Sequence, residues 1–231
     1  MHEIDLPVAV SLNDCDSVTT MMSELISRRR FRDALVIGQH HQCWHEDNHE
    51  DCEHLHFWFQ MSLVNRLLVR DEDAHQCHLR AKQCPGYDQL IEGDFVRDYC
   101  LAMIRRGKLA TAYELLLEAR DLHGNDPNRM AALLMAEGRL KYAAQEYTAA
   151  DELFVSANLA WYELGHRADR QWIANNRFHW LKATTLLDQR GISAYLYFQI
   201  LESEKSWKRK LAAWLMYNLG KPGVKLVERF M

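Results

Sequence analysis

The feature that most constrains this sequence is a residue triplet that recurs with a period near forty. A small residue, followed by residues four and seven positions later, occurs five times at spacings of 40, 38, 38 and 44. Such spacing places the three residues of a triplet on one face of a helix. A period of this length predicts a chain of similar helical units that stack in order. The five copies are Ala34-Gly38-His41, Ala74-His78-Ala81, Ala112-Leu116-Ala119, Ala150-Phe154-Ala157 and Ala194-Phe198-Leu201.

A second set of residues precedes each triplet and predicts a partner helix. Of the ten residues that lie sixteen and thirteen positions before the five alanines, nine are apolar, and Glu137 is the exception. A small alanine on the second helix lets two antiparallel helices approach closely. Each unit is therefore predicted to be a helical hairpin, and the stack of hairpins an α-solenoid.

Glycine and proline are scarce and well placed for this architecture. The chain has 10 glycines and 4 prolines in 231 residues, mostly between strongly helical stretches. This scarcity favours an all-α protein over a sandwich or barrel with many tight turns. No apolar stretch approaches the roughly 18 residues of a membrane span, and the start lacks the basic region of a signal peptide. The chain is therefore predicted to be cytoplasmic, with no membrane partner and with its six cysteines as reduced thiols.

The repeats resemble the tetratricopeptide repeat family. The clearest copy runs from 131 to 164, and its matching residues are Leu134, Gly138, Tyr147, Ala150, Phe154 and Ala157. Five units span 17–204, and their periods exceed the usual ~34, which suggests the extended variety of the repeat. The resemblance implies an α-solenoid of about five hairpins, with an N-terminal segment at 1–16 and C-terminal capping helices at 205–231.

The resemblance also implies a function and a binding surface. Proteins of this family are typically non-enzymatic scaffolds or adaptors within complexes, and the first helix of each hairpin lines a concave groove that holds a peptide or helix of a partner protein. Aromatic and arginine side chains often anchor such interfaces. Carried onto this sequence, the groove positions are His56, Phe59, Arg66, Arg97, Arg105, Arg139, Tyr142, Asn176 and His179.

The C-terminal segment 205–231 differs from the rest of the chain in charge. It has seven basic residues and one acidic residue, a net charge of +6, which leaves −10 for residues 1–204. The tryptophans toward this end make self-association a further hypothesis. A regulator that binds nucleic acid through the basic segment is another, although the overall charge of −4 argues against a nucleic-acid partner.

A histidine- and cysteine-rich stretch at 40–56 suggests an alternative function. Imidazole and thiolate are ligands that zinc prefers, so a metal-binding or metal-responsive regulator is the second hypothesis, with zinc as its cofactor. The alternative for this stretch is an exposed junction in which histidines pair with neighbouring carboxylates, or respond to pH. The candidate metal ligands are His45, His49, Cys52 and His54.

No motif in the chain predicts catalysis. Phosphate-binding glycine loops of the type GxxxxGK[ST] or GxGxxG are absent from the sequence. Cys77 and His78 lack the surroundings of a cysteine hydrolase, and His78 occupies a large core position in the repeat, so a packed histidine is predicted there. The chain is therefore predicted not to be an enzyme and to have no catalytic residues.

Overall fold

A computed structural model describes residues 14–28, 30–47, 54–165, 168, 170–204 and 206–230. These residues form twelve α-helices and no strand. The predicted fold class, an all-α solenoid of helical hairpins that ends in a helix pair, is confirmed. Most of the predicted N-terminal segment 1–16 lies outside the described residues. The helices are α1 (Cys15–Ser27), α2 (Phe31–Asp47), α3 (Leu55–Leu67), α4 (Asp71–Ala81), α5 (Gln89–Arg105), α6 (Leu109–His123), α7 (Pro127–Ala143), α8 (Tyr147–Leu164), α9 (Arg170–Leu186), α10 (Arg190–Ser203), α11 (Trp207–Leu219) and α12 (Lys221–Phe230).

The chain divides into two compact units, residues 1–102 and 103–231. In the first unit, α1 pairs with α2, and α3 pairs with α4. Helix α1 begins after Asp14, whose carboxylate accepts a hydrogen bond from the backbone N–H of Ser17 at 3.0 Å. Asp14 therefore satisfies one of the amide donors that the start of a helix leaves unpaired. The core of this unit joins α1, α2 and α3 through fully or nearly fully buried side chains, among them Val18, Met22, Ala34, Phe57 and Met61.

The second unit contains the hairpins α7/α8, α9/α10 and α11/α12, with α6 packed on α7. The first helices of successive hairpins also contact one another, α7 with α9 and α9 with α11. Within the α7/α8 hairpin, Gly138 lies against the ring of Phe154, so closely that a Cβ atom at position 138 would be 2.7 Å from Phe154 Cε1. Glycine is required there because the two helices approach too closely for a side chain.

The predicted triplets correspond to buried helix faces in four of the five copies. Their alanines are at most 1% exposed, and Leu116 and Phe154 are as deeply buried. The fifth copy is wrong by one residue: Phe198 is 61% exposed, whereas Ser193, Leu196 and Ile200 are buried. Ser193, not Ala194, takes the small position, and its hydroxyl lies 3.0 Å from Thr184 Oγ1 on α9.

Two further sequence expectations can be compared with the described residues. None of the described helices combines the length and the apolar character needed to cross a bilayer. Among the described residues, Cys15, Cys77, Cys84 and Cys100 form no disulfide, while the side chains of Cys43 and Cys52 are not described. Burial raises the pKa of Cys77 to about 11, so this thiol stays protonated at neutral pH.

Candidate functional site

Four cationic side chains from four helices lower the pKa of His179 in the second unit. Arg105 ends α5, Arg139 lies on α7, Lys182 on α9 and Arg209 on α11. All four are close enough to lower the pKa of this histidine. His179 and Lys182 are three residues apart and share one face of α9, as Arg139 and Tyr142 do on α7. We call Arg105, Arg139, Tyr142, His179, Lys182 and Arg209 the basic surface.

Burial and neighbouring cations lower the pKa of His179 and favour its neutral form. Burial is the largest cause that holds its pKa well below the ordinary value, and the charge of Arg139 is the next. The ring stacks on Phe154, with 6.4 Å between centroids, and meets Phe178 edge-on at 6.2 Å. Because His179 stays uncharged, the positive potential of the surface comes from the arginines and the lysine.

Aromatic rings lie beneath two of the cations. The Lys182 ammonium is 6.0 Å from the ring centre of Tyr142 and 5.9 Å from that of Phe178. The Arg209 guanidinium lies 5.0 Å from the centre of the Phe178 ring. It also donates to Glu204 at 2.7 Å and to Asn175 at 2.6 Å. These contacts fix the position of Arg209 and combine charge with a flat apolar support.

A carboxylate of the same chain already lies on the basic surface. The Tyr142 hydroxyl donates to Glu228 of α12 at 2.5 Å, across 86 residues of sequence. Burial is the main cause that raises the pKa of Tyr142, and the hydrogen bond to Glu228 adds to it. Helix α12 also contacts α9. The surface therefore accepts an acidic side chain presented by a helix.

Two predicted groove arginines of the first unit are buried in internal contacts. Arg97 is 5% exposed and forms ion pairs with Asp94 at 2.6 Å and Asp98 at 3.2 Å. Arg66 is 8% exposed, lies 4.4 Å from the ring centre of Tyr99, and donates through Nε to Ser62. Burial raises the pKa of Asp98, and the charge of Arg97 opposes that shift. The contact of Arg66 with Tyr99 joins α3 to α5, and the ion pairs of Arg97 lie within α5.

The remaining predicted groove residues have mixed environments. His56 is exposed, and Phe59 meets Phe95 edge-on at 4.7 Å. Asn176 is fully buried and donates to the backbone carbonyl of Phe154 at 2.9 Å, so it ties α9 to α8. Of the nine predicted positions, the structure brings four together on the basic surface, and partner binding by any of the nine stays a prediction. Those four are Arg105, Arg139, Tyr142 and His179.

The sequence reasoning missed three residues of this site. Lys182 and Phe178 both flank His179 on α9, and the i+3 spacing from His179 to Lys182 was a signal that could have found the lysine. Arg209 lies outside the predicted repeats, so the repeat register gave it no groove position. Its contact with Phe178 depends on how α11 packs on α9.

Most of the predicted metal ligands lie outside the residues whose side chains the structure describes. His49 and Cys52 are not among the described residues, and His45 lies on α2 with its side chain outside the description. His54 is described, and its Nε2 lies 2.8 Å from a carboxylate oxygen of Asp16. Among the described side chains, no group of three or more His, Cys, Asp or Glu residues could hold a metal ion. The zinc site stays a prediction.

His78 is packed against aromatic side chains, as predicted, but it is half-buried and lies outside the buried core. Its ring stacks on Phe95 with 4.2 Å between centroids, and its Nε2 lies 2.9 Å from the Tyr87 hydroxyl and 3.0 Å from a Glu92 oxygen. Burial is the main cause that lowers the pKa of His78, although Glu92 opposes the shift. The cluster joins α4 to α5. In these contacts, no cysteine thiol and no serine or threonine hydroxyl lies next to the imidazole.

An apolar groove lies on another part of the second unit. It has a volume of about 460 Å³ and runs between the beginning of α7 and the end of α8. Its walls include Pro127, Met130, Leu134 and Leu164, with Glu163 at the edge. The groove holds few polar groups, so it offers little to orient a small polar ligand.

The fold resembles that of a solved structure. A structure of Pseudomonas aeruginosa pilF matches with a TM-score of 0.51 and 12% sequence identity. The match covers 92% of this chain and 88% of pilF. No protein-family model and no curated protein matches the chain. At this identity the likeness shows a helical-repeat fold and nothing finer.

Proposed function

We propose that this protein is a non-enzymatic interaction scaffold whose basic surface binds an acidic segment of a partner protein. The observation that carries the proposal is the placement of the Lys182 ammonium over the rings of Tyr142 and Phe178, and of the Arg209 guanidinium over Phe178, beside His179. A helical-repeat fold supplies a pre-formed surface, and such a surface lowers the entropic cost of binding a peptide or helix.

The charge of the surface argues for an acidic partner. Arginine side chains bind carboxylates through two parallel hydrogen bonds, and partial burial strengthens each of these contacts. The aromatic rings of Tyr142 and Phe178 add apolar area beside the charges. A lysine-rich segment would meet like charge at this surface, which lowers its affinity.

The contact between Tyr142 and Glu228 supports a helical or extended acidic ligand. Glu228 is the one acidic residue of segment 205–231, and its carboxylate accepts a hydrogen bond from the basic surface. Beside this contact, a partner carboxylate would approach the cationic side chains of Arg139 and Lys182. The intramolecular contact thus resembles the contact we propose for the partner.

Charge reversal with a defined probe tests this function. The probe is a fluorescent glutamate-rich peptide of about twelve residues, compared with a lysine-rich peptide, at about 50 mM and about 300 mM salt. We expect the glutamate-rich peptide to bind, and Arg139→Glu/Lys182→Glu to weaken that binding by at least about tenfold. Fluorescence anisotropy measures both affinities.

The control variant changes the same net charge elsewhere in the second unit. Arg190→Glu/Lys221→Glu reverses two exposed cations outside the basic surface, and we expect it to change the affinity less than about threefold. Equal losses in the two variants would mean that the peptide senses net charge alone. That result would contradict a defined binding surface, as would equal binding of the two peptides.

The zinc hypothesis remains a second proposal that rests on composition. Imidazole and thiolate ligands would have to come from 40–56, and His54 would have to leave Asp16. Elemental analysis of protein purified without chelator tests it. A zinc content near one equivalent supports the proposal, and less than about a tenth of an equivalent contradicts it.

A further inference from the structure

Helix α11 presents an apolar stripe on the face opposite to its packed side. The stripe consists of Trp207, Leu211 and Trp214, which are 68%, 47% and 46% exposed. Their i, i+4, i+7 spacing aligns them along one side of the helix. The opposite side packs into the core of the second unit through Ala212 and Met216, at most 1% exposed.

The stripe has a lysine on each side. On a helix with about 100° per residue, Lys208 lies to one side of the three apolar residues and Lys210 to the other. Neither lysine forms an ion pair with a described residue. Arg209, between them in sequence, turns toward the core, where it pairs with Glu204. The α11 sequence contains no acidic residue, so the exposed face is apolar at its centre and positive at both edges.

We propose that this stripe binds an amphipathic helix of a partner protein with acidic residues on both flanks of its apolar face. This surface is separate from the basic surface, because it uses the outer side of α11. Tryptophan is among the side chains most enriched at positions that dominate binding energy. Two tryptophans on one face of α11 can pack against the apolar side of a second helix.

The arrangement of charges favours a helix over an extended strand. In a strand, alternate side chains point to opposite faces, so a strand that buries its apolar row turns its other residues away. A helix places residues on both flanks of an apolar stripe, where carboxylates reach Lys208 and Lys210 together. A helical ligand can therefore place carboxylates next to both lysines at once, whereas a strand cannot.

The same charges disfavour a second copy of this chain as the occupant. Two copies that pair through α11 would bring Lys208 and Lys210 of both copies to one rim, with no acidic residue of α11 to compensate. Like charges at a rim lower the association rate and the affinity. The structure therefore points to a partner of opposite charge.

Two designed helical peptides test this proposal. Both have the same apolar stripe of leucines, and they carry glutamate or lysine on both flanks. We expect the glutamate-flanked peptide to bind at least about tenfold more tightly, and Trp207→Ala/Trp214→Ala to reduce its affinity by at least about tenfold. Fluorescence anisotropy of the labelled peptides gives the affinities.

A charge-swap variant gives the sharper result. Lys208→Glu/Lys210→Glu should reverse the preference, so that the lysine-flanked peptide binds more tightly. The matched control is Lys221→Glu/Lys225→Glu, two exposed lysines of α12, which should keep the original preference. Both are surface changes, so a circular dichroism melt shows directly whether the fold is retained.

Three outcomes would overturn the proposal. One is an unchanged preference in the Lys208→Glu/Lys210→Glu protein. Another is a dimer in sedimentation velocity that Trp207→Ala/Trp214→Ala dissolves, which would assign the stripe to a second copy. The third is binding to vesicles of phosphatidylglycerol that depends on both tryptophans while neither peptide binds, which would assign the stripe to a lipid surface.

Discussion

At the scale of single residues, buried polar side chains decide how neighbouring helices are held. Asn176 and Arg97 occupy positions that the repeat pattern assigns to a groove, yet both are buried and make contacts within the chain. The sequence contains Asp94 and Asp98 beside Arg97, so an ion pair could have been foreseen. Its burial could not, because burial depends on how α5 packs in the folded protein.

Asn176 gives a direct test of this structural role. Asn176→Ala removes the donor to the Phe154 carbonyl at a fully buried position. We expect a loss of about 1–3 kcal/mol in the free energy of unfolding, measured by urea denaturation. Asn218→Ala is the control, because Asn218 is exposed and donates to Trp214 of its own helix. A comparable loss in both variants would contradict the role of Asn176.

His179 predicts how stability depends on pH. Its pKa is held well below 6.5 in the folded protein, so the unfolded chain takes up a proton first as the pH falls. The histidine therefore costs nothing above about pH 6.5 and destabilises the fold as the pH drops below that value. His78, whose pKa is also lowered, acts in the same direction.

Urea denaturation at pH 7.5 and pH 5.5 measures this effect. The wild-type protein should lose more stability between the two values than His179→Gln, which has no imidazole to protonate. Equal losses in the two proteins would show that His179 is protonated as readily in the folded state as in the unfolded state.

At the scale of the helices, close approach between the two helices of a hairpin is the main constraint. The alanine triplets predicted four hairpins because a small side chain at a fixed register is visible in the sequence. The fifth register failed because Ser193 and Ala194 are both small, and only the packing of α10 on α9 decides which of them faces inward. The period of the triplets therefore predicts that a helix is present, but it does not determine which of two adjacent small residues faces the core.

Gly138 tests the close approach of α7 and α8. A Cβ atom at this position would be 2.7 Å from the Phe154 ring, so Gly138→Ala forces the helices apart. Overpacking costs about 1–3 kcal/mol, which outweighs the gain of up to about 1 kcal/mol in helix propensity. Thermal unfolding should show a lower midpoint for this variant.

Gly191 supplies the matched control for that measurement. A Cβ atom at Gly191 of α10 meets no atom within 4 Å. Gly191→Ala should therefore leave the midpoint unchanged or raise it slightly. A midpoint for Gly138→Ala at or above that of Gly191→Ala would mean that α7 and α8 do not approach as closely as described.

At the scale of the whole molecule, charge is divided unevenly along the chain. Residues 1–102 have 9 basic and 18 acidic residues, and residues 103–231 have 19 and 14. The sequence alone predicted an acidic body and a basic C-terminal segment. It did not predict that α12 would contact the basic surface, because the hydrogen bond from Tyr142 to Glu228 joins residues that no repeat period relates.

The basic surface is therefore partly foreseen and partly a product of tertiary packing. Four of its residues follow from the family register, while Lys182 and Arg209 enter through the packing of α9 and α11. We predict a partner that contacts this face of the second unit with acidic residues. A partner bound through the outer faces of the second helices would require a different explanation.

Site-specific photo-crosslinking in the cells that make this protein tests that claim most directly. A benzophenone side chain replaces Lys182 on the basic surface in one protein and the exposed Glu152 of α8 in another. We predict that position 182 crosslinks to an acidic segment of a partner, identified by mass spectrometry, and that position 152 does not. Crosslinks from position 152 alone, or a segment without acidic residues at position 182, would contradict it.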